Sequence, residues 1–187
     1  ARLQQVQFAI DEIGRRARAG LAPFNIADLK RVAIVGFDLG AQTALAAAGE
    51  VFVGIATDPS PLNVRGVIAL SPYVDLAVGG LESRFAAIRM PVLTITGTDD
   101  LDAYGLISSA SIRRAPWQSM APGDKYLLLL ADGSHAVLAG SSLTARTGPP
   151  AQAGPADPDR SDSAVDDRRG RRMDGQSDVD ILHQAPA

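Results

Sequence analysis

Asp38 stands between two glycines in Gly36-Phe37-Asp38-Leu39-Gly40, directly after an apolar run and directly before an Ala-rich stretch. Glycines on both flanks allow a turn too tight for side chains, with strained backbone angles at its centre. The Asp38 side chain is then expected at the carboxyl end of a sheet, beside the positive end of the following helix. A carboxylate there has two uses. It can attack an electrophilic carbon, or it can cap the helix beginning at Leu39, which contributes about 1 kcal/mol. Two further groups follow. Asp99, Asp100 and Asp102 cluster behind Gly97-Thr98; they could bind a hard cation through oxygen, although acids in loops serve more often in turns and caps. His135 comes after Asp132-Gly133-Ser134, and an imidazole is suited to proton transfer near neutral pH. The same position equally suits an ordinary loop histidine. Gly36–Gly40 lacks the Gly-Lys-Ser/Thr ending of a phosphate loop.

The elements around these residues alternate. Leu3, Val6, Ile10, Ile13 and Ala17 recur at helical spacing, and Gly20 and Pro23 end that pattern. Four apolar runs follow: 32–35, 67–70, 92–95 and 126–130. They are continuous, as expected of strands covered on both faces of a parallel sheet. A helix is predicted from Leu39 to about Gly49, a short one over 81–89 and another over 104–114. The pattern implies an α/β fold with right-handed crossovers. Ser71, before Pro72, reads as a turn residue, and Tyr73 and Trp117 as core or rim packing.

The strand–turn–helix around Asp38 resembles the nucleophile elbow of α/β hydrolases, whose usual apex is Ser in Gly-x-Ser-x-Gly. With 88–93 (Ile-Arg-Met-Pro-Val-Leu), Gly97-Thr98-Asp99-Asp100, 123–126 (Gly-Asp-Lys-Tyr) and Asp132-Gly133-Ser134-His135, residues 1–140 resemble the C-terminal half of that fold. The nearest branch is the dienelactone-hydrolase-like and acetylhydrolase-like esterases. The resemblance implies a partial α/β-hydrolase fold, a mostly parallel sheet of about four strands with flanking helices. It places Asp38 where the nucleophilic serine would be, Asp100 as the acid, His135 as the base and the Leu39 N–H in the oxyanion hole; Asp99 and Asp102 are the other candidates for the acid. Two departures matter. The apex is Asp, with Phe37 before it where esterases usually have His, and the front half of the fold, whose early loop supplies the second oxyanion donor, is expected to precede residue 1. Dehalogenases and epoxide hydrolases of the superfamily use such an Asp for attack on carbon, whereas serine-type acyl transfer is excluded. The resemblance thus implies an ester-hydrolase relative acting on a small substrate, with two alternatives: an Asp-nucleophile hydrolase, or an inactive truncated remnant or binding module. No cofactor and no metal are implied.

Composition narrows the field. Eighteen basic residues against 21 acidic ones give a net charge of −3, without the basic excess that nucleic acid or anionic membranes require. Without cysteine there is no disulfide and no thiolate chemistry. No run of about 18 apolar residues exists to span a bilayer, and residues 1–5 read as helix, not as a signal peptide; the compartment stays unassigned. A chain starting this way is expected to continue a longer protein, and its first strand to expose an edge open to another copy or a complementing chain. Residues 141–187 lack aromatics and mix Asp, Arg, Pro and Gly. They are expected to form a disordered tail, because they cannot bury enough apolar surface to offset ordering; His183 is expected to be solvated there.

Overall fold

The computed structural model describes residues 2–52, 62–102, 104–141 and 179–184. The four expected runs all form strands: β1 (Val32–Phe37), β2 (Val64–Leu70), β3 (Val92–Asp99) and β4 (Lys125–Ser134). They pair in parallel in the order β1-β2-β3-β4. The fold is therefore α/β, with a mostly parallel sheet and flanking helices.

Helix α1 (Arg2–Arg18) precedes the sheet, α2 (Leu39–Ala48) connects β1 to β2, and α3 (Leu81–Phe85) connects β2 to β3. The helix expected over 104–114 starts later and changes type. A 3-10 turn occupies Ala110–Arg114 and α4 spans Ala115–Ser119, with Pro116 in its first turn. The cause is Asp102. Its carboxylate accepts the N–H groups of Tyr104 (2.8 Å), Leu106 (3.1 Å) and Ile107 (2.6 Å), so this stretch satisfies its amides in a loop, not a helix.

The core lies between the sheet and α2 and α3. Ala41, Ala44, Leu45 and Ala48 of α2 pack with Val67 and Ala69 of β2, Val92 of β3 and Phe85 and Ile88. Small side chains on α2 bring its backbone close to the strands, which keeps the turn at Asp38 tight against the sheet. Among the described residues β1 is an edge strand, and its Val35 is 62% exposed.

The tail expectation needs correction in part. Beside the four expected parallel strands the sheet holds, among the described residues, a fifth, which lies within the stretch expected to be a disordered tail. β5 (Val179–Gln184) runs antiparallel to β4, setting Leu182 opposite Leu127 and Ile181 opposite Leu128. His183 stacks on Tyr126 with ring centroids 4.7 Å apart. Gln184 donates to the Trp117 carbonyl at 2.6 Å, and the Trp117 indole donates to the Lys125 carbonyl at 3.3 Å. Val179, Ile181 and Leu182 supply the apolar side chains that a charged surrounding composition averages away. The rest of the expected tail, 142–178 and 185–187, lies outside the described residues.

Candidate functional site

Asp38 occupies the apex between β1 and α2 with φ 52° and ψ −114°, a backbone region that costs a non-Gly residue of order 1–3 kcal/mol. A Cβ at Gly36 would collide with the main chain of Gly40, whereas one at Gly40 would meet nothing within 4 Å. So the turn requires the first glycine and only tolerates the second. Gly36→Ala is expected to lose about 1–3 kcal/mol of stability through overpacking, while Gly40→Ala, at a helical position, stays neutral or gains slightly. Urea denaturation of both variants checks this, and equal losses would contradict the asymmetry.

The capping use of Asp38 does not hold. Its side chain makes no cap hydrogen bond to α2. Instead the Asp38 main-chain carbonyl accepts from Gln42 (3.1 Å) and Tyr73 (3.3 Å), and its N–H donates to the Leu70 carbonyl (3.0 Å), so the strained turn is fastened to the end of β2. Leu39 is the first residue of α2, where an N–H has no intrahelical acceptor.

The histidine is delivered by a second close approach. A Cβ at Gly97 of β3 would strike the main chain of Gly133, and the Asp132 N–H donates to Thr98 Oγ1 at 2.8 Å. Asp132 turns the chain with φ 54°, and Ser134 caps α5 (His135–Leu138) through the Val137 N–H. His135 thereby stands at the start of α5, with its ring centroid 4.7 Å from that of Phe37. His135 Nδ1 lies 2.8 Å from Asp100 Oδ1, and Thr96 Oγ1 donates to Asp100 Oδ2 at 2.7 Å.

Of the three clustered acids, the structure brings only Asp100 to the histidine; it is fully buried. Asp99 is exposed at the end of β3. Asp102 is committed to its loop: burial disfavours its charge, but the amides of Leu106, Ile107 and Tyr104 outweigh this and hold it below the ordinary carboxylate range. Asp38, Asp100 and His135 thus gather at one end of the sheet, although among the described residues no hydrogen bond joins Asp38 to His135.

Sequence reasoning missed the residue that connects them. Arg113, in the 3-10 turn before α4, has no exposed surface. Its Nε donates to the Asp100 carbonyl at 2.8 Å and lies 3.0 Å from Asp100 Oδ1. Its Nη1 donates to the Ser71 carbonyl (2.6 Å), the Pro72 carbonyl (3.3 Å) and Asp38 Oδ1 (3.4 Å). Ser71 is more than a turn residue here: fully buried with φ 45°, it turns its carbonyl to this guanidinium. The signal for Arg113 was weak. Two consecutive arginines before Ala-Pro-Trp do not reveal which one points inward. A cavity of about 450 Å³ opens at the same end of the sheet, lined by Thr98, Asp99, Leu101, Ser109, Arg114 and Leu129 among others.

No protein-family model matches the chain, and no curated protein matches it. Among solved structures, one similar chain is a crystal structure described as a predicted CIB-like hydrolase from Thermoplasma acidophilum, 18% identical with a TM-score of 0.37. The alignment covers 68% of this chain and 51% of that one, so the chain spans about half the length of the structure it matches.

Proposed function

We propose that this chain carries an α/β-hydrolase-like site in which Asp38 is a carboxylate nucleophile, His135 the base and Asp100 the acid that orients it. The observation that carries the reading is the pairing of a strained, uncapped Asp38 at the strand–helix turn with a buried Asp100 on His135 Nδ1. An N-cap aspartate needs neither the strain nor the histidine, and a loop histidine needs no buried acid. The reaction proceeds in two steps. Asp38 attacks an electrophilic carbon and expels the leaving group with its electron pair, forming an ester. His135 Nε2 takes a proton from water, the hydroxide adds to Asp38 Cγ, and the alcohol leaves with the returned proton. Asp100 on Nδ1 fixes the tautomer that leaves Nε2 free to accept. The Leu39 N–H, at the positive end of α2, faces the developing charge.

The test is covalent capture. Incubation with phenacyl bromide, an activated primary alkyl halide, is expected to add one phenacyl group to Asp38 and release 2-hydroxyacetophenone on turnover, with no adduct at that position in Asp38→Asn. Mass spectrometry of the intact protein and its peptides reads both. Adducts distributed identically in wild type and Asp38→Asn would remove the assignment. The carboxylic-ester ancestry implied by the resemblance predicts a second result: Asp38→Ser gains hydrolysis of p-nitrophenyl acetate, because Ser restores the hydroxyl nucleophile against an intact His135–Asp100 pair.

A further inference from the structure

The geometry points to Arg113 as a catalytic residue of this site: it holds Asp38 Oδ1 through the reaction, so that the other carboxylate oxygen attacks and Oδ1 carries the charge of the hydrolytic step. The inference rests on the carboxylate-nucleophile reading above and adds to it the donor opposite the base.

Arg113 is fixed before any substrate arrives. Its Nε is occupied by Asp100 and one Nη1 hydrogen by the Ser71 carbonyl at 2.6 Å, while the other is shared between the Pro72 carbonyl and Asp38 Oδ1, so the guanidinium plane is set by the ends of β2 and β3. Asp38, at the turn after β1, touches the same Nη1 at 3.4 Å through Oδ1. Because β2 lies between β1 and β3 in the sheet, no main-chain pairing links the nucleophile to the acid; this side chain does. The neighbouring Nη2 is buried and has no partner among the described residues, an unused donor on a group whose other donors are committed. Buried donors that stay unpaired are uncommon, and here the spare one belongs to the cation beside the proposed reacting carboxylate.

The consequence differs between the two steps. An ion pair on Oδ1 stabilises the free carboxylate, which slows attack through this oxygen and leaves Oδ2 as the nucleophile. Once Oδ2 is esterified, Oδ1 is the carbonyl oxygen. Water adds to Cγ after giving its proton to His135 Nε2, the electron pair of the C=O bond moves to Oδ1, and a guanidinium already in place meets it without reorganisation. Collapse then breaks the Cγ–Oδ2 bond, the departing alkoxide takes the proton from His135, and the new Asp38 carboxyl releases its remaining proton to solvent to restore the carboxylate. Removing Arg113 is therefore expected to spare the alkylation and slow the hydrolysis. An arginine that only holds the fold would, on removal, weaken both steps together, and one that only positions Asp100 would add no further loss to the residual hydrolysis of His135→Gln, whereas a donor to Oδ1 slows that residual hydrolysis as well.

Rapid-quench mass spectrometry with phenacyl bromide on wild type, Arg113→Met and Arg113→Lys separates these cases. Expected are adduct formation at least as fast as in wild type for both variants, and ester hydrolysis slowed about 10²–10³-fold in Arg113→Met, the usual loss for one such donor. Arg113→Lys, keeping the charge but not the fork, should fall between. If Arg113→Met does not fold, Arg113→Lys decides by the same ratio of rates. Hydrolysis at the wild-type rate, or alkylation and hydrolysis slowed equally, would overturn the role. Absence of any Asp38 adduct in wild type would overturn the nucleophile reading, and the role of Arg113 with it; that outcome is distinct, since it appears before any Arg113 variant is compared.

Discussion

His135→Gln is expected to stop the protein after its first chemical step. Glutamine keeps a polar side chain at the start of α5 and can still hydrogen-bond Asp100, which now lies 2.8 Å from His135 Nδ1. It cannot accept a proton from water at neutral pH. Formation of the Asp38 ester needs no proton transfer when bromide leaves, so the adduct should form at an undiminished rate and then persist. Steady-state release of 2-hydroxyacetophenone should fall by about 10²–10⁴-fold, the range supplied by a positioned general base. The same preparation should hold about one phenacyl group per chain, mapped to Asp38. A variant that turns over as fast as wild type would remove His135 from the mechanism, whatever the state of Asp38. Against Arg113→Met the two profiles should be alike in kind but differ in depth, because in the proposed roles His135→Gln removes the source of hydroxide and Arg113→Met only the stabiliser of the charge it creates.

The parts of this arrangement that were legible in the sequence share a local cause. Asp38 was legible because the turn that exposes it is written in adjacent residues, an apolar run, Gly36 and an Ala-rich helix. The four parallel strands were legible because continuous apolar runs of that length fit little else in a chain that alternates this way. What was not legible depends on residues far apart. Asp99, Asp100 and Asp102 are equivalent on composition, and only the resemblance singled out Asp100; the physical distinction comes from the pleat and the loop that follow: Asp100 turns inward to His135 and Thr96, while Asp102 is captured by three amides. Arg113 lies 75 residues from Asp38 in the chain, and its burial follows from a 3-10 turn that no periodicity announces. β5 escaped for the opposite reason: a real four-residue signal, 179–182, sits in a segment whose average is polar, and its partner β4 supplies the apolar surface it lacks.

Outside the site, the largest effect is expected from Arg84→Met. Arg84 of α3 and Glu50, just after α2, form an ion pair with 0% and 1% of their side chains exposed. Arg84 Nη2 and Nε donate to Glu50 Oε1 at 2.6 and 3.1 Å, its third nitrogen reaches the Asp75 carbonyl, and the guanidinium carbon lies 5.0 Å from the Phe85 ring centroid. The pair fastens the far end of the elbow helix to the connection between β2 and β3. Methionine keeps the apolar volume but leaves the Glu50 carboxylate buried, with Oε2 already without a partner among the described residues. Breaking one side of such a pair costs about 3–5 kcal/mol, a large share of the roughly 5–15 kcal/mol that holds a domain together. Glu50→Leu/Arg84→Met should recover most of that loss, since the uncompensated charge is gone.

The pH dependence of Arg84→Met follows from Glu50. Burial pushes its carboxyl above the ordinary range, and the hydrogen bond and charge of Arg84 pull only part of the way back. A carboxyl raised in the folded state binds a proton more readily there than in the unfolded chain. Its protonation therefore favours folding at low pH, and stability declines as pH rises from the ordinary carboxylate range through the raised folded value. Without Arg84 the downward pull is lost, so this decline should be steeper and extend to higher pH. Urea unfolding at mildly acidic and mildly alkaline pH measures it. A single variant within about 1 kcal/mol of wild type at both, the range of an exposed pair, would show that Glu50 escapes to solvent when its partner is removed, and that the two connections are held together by apolar packing alone.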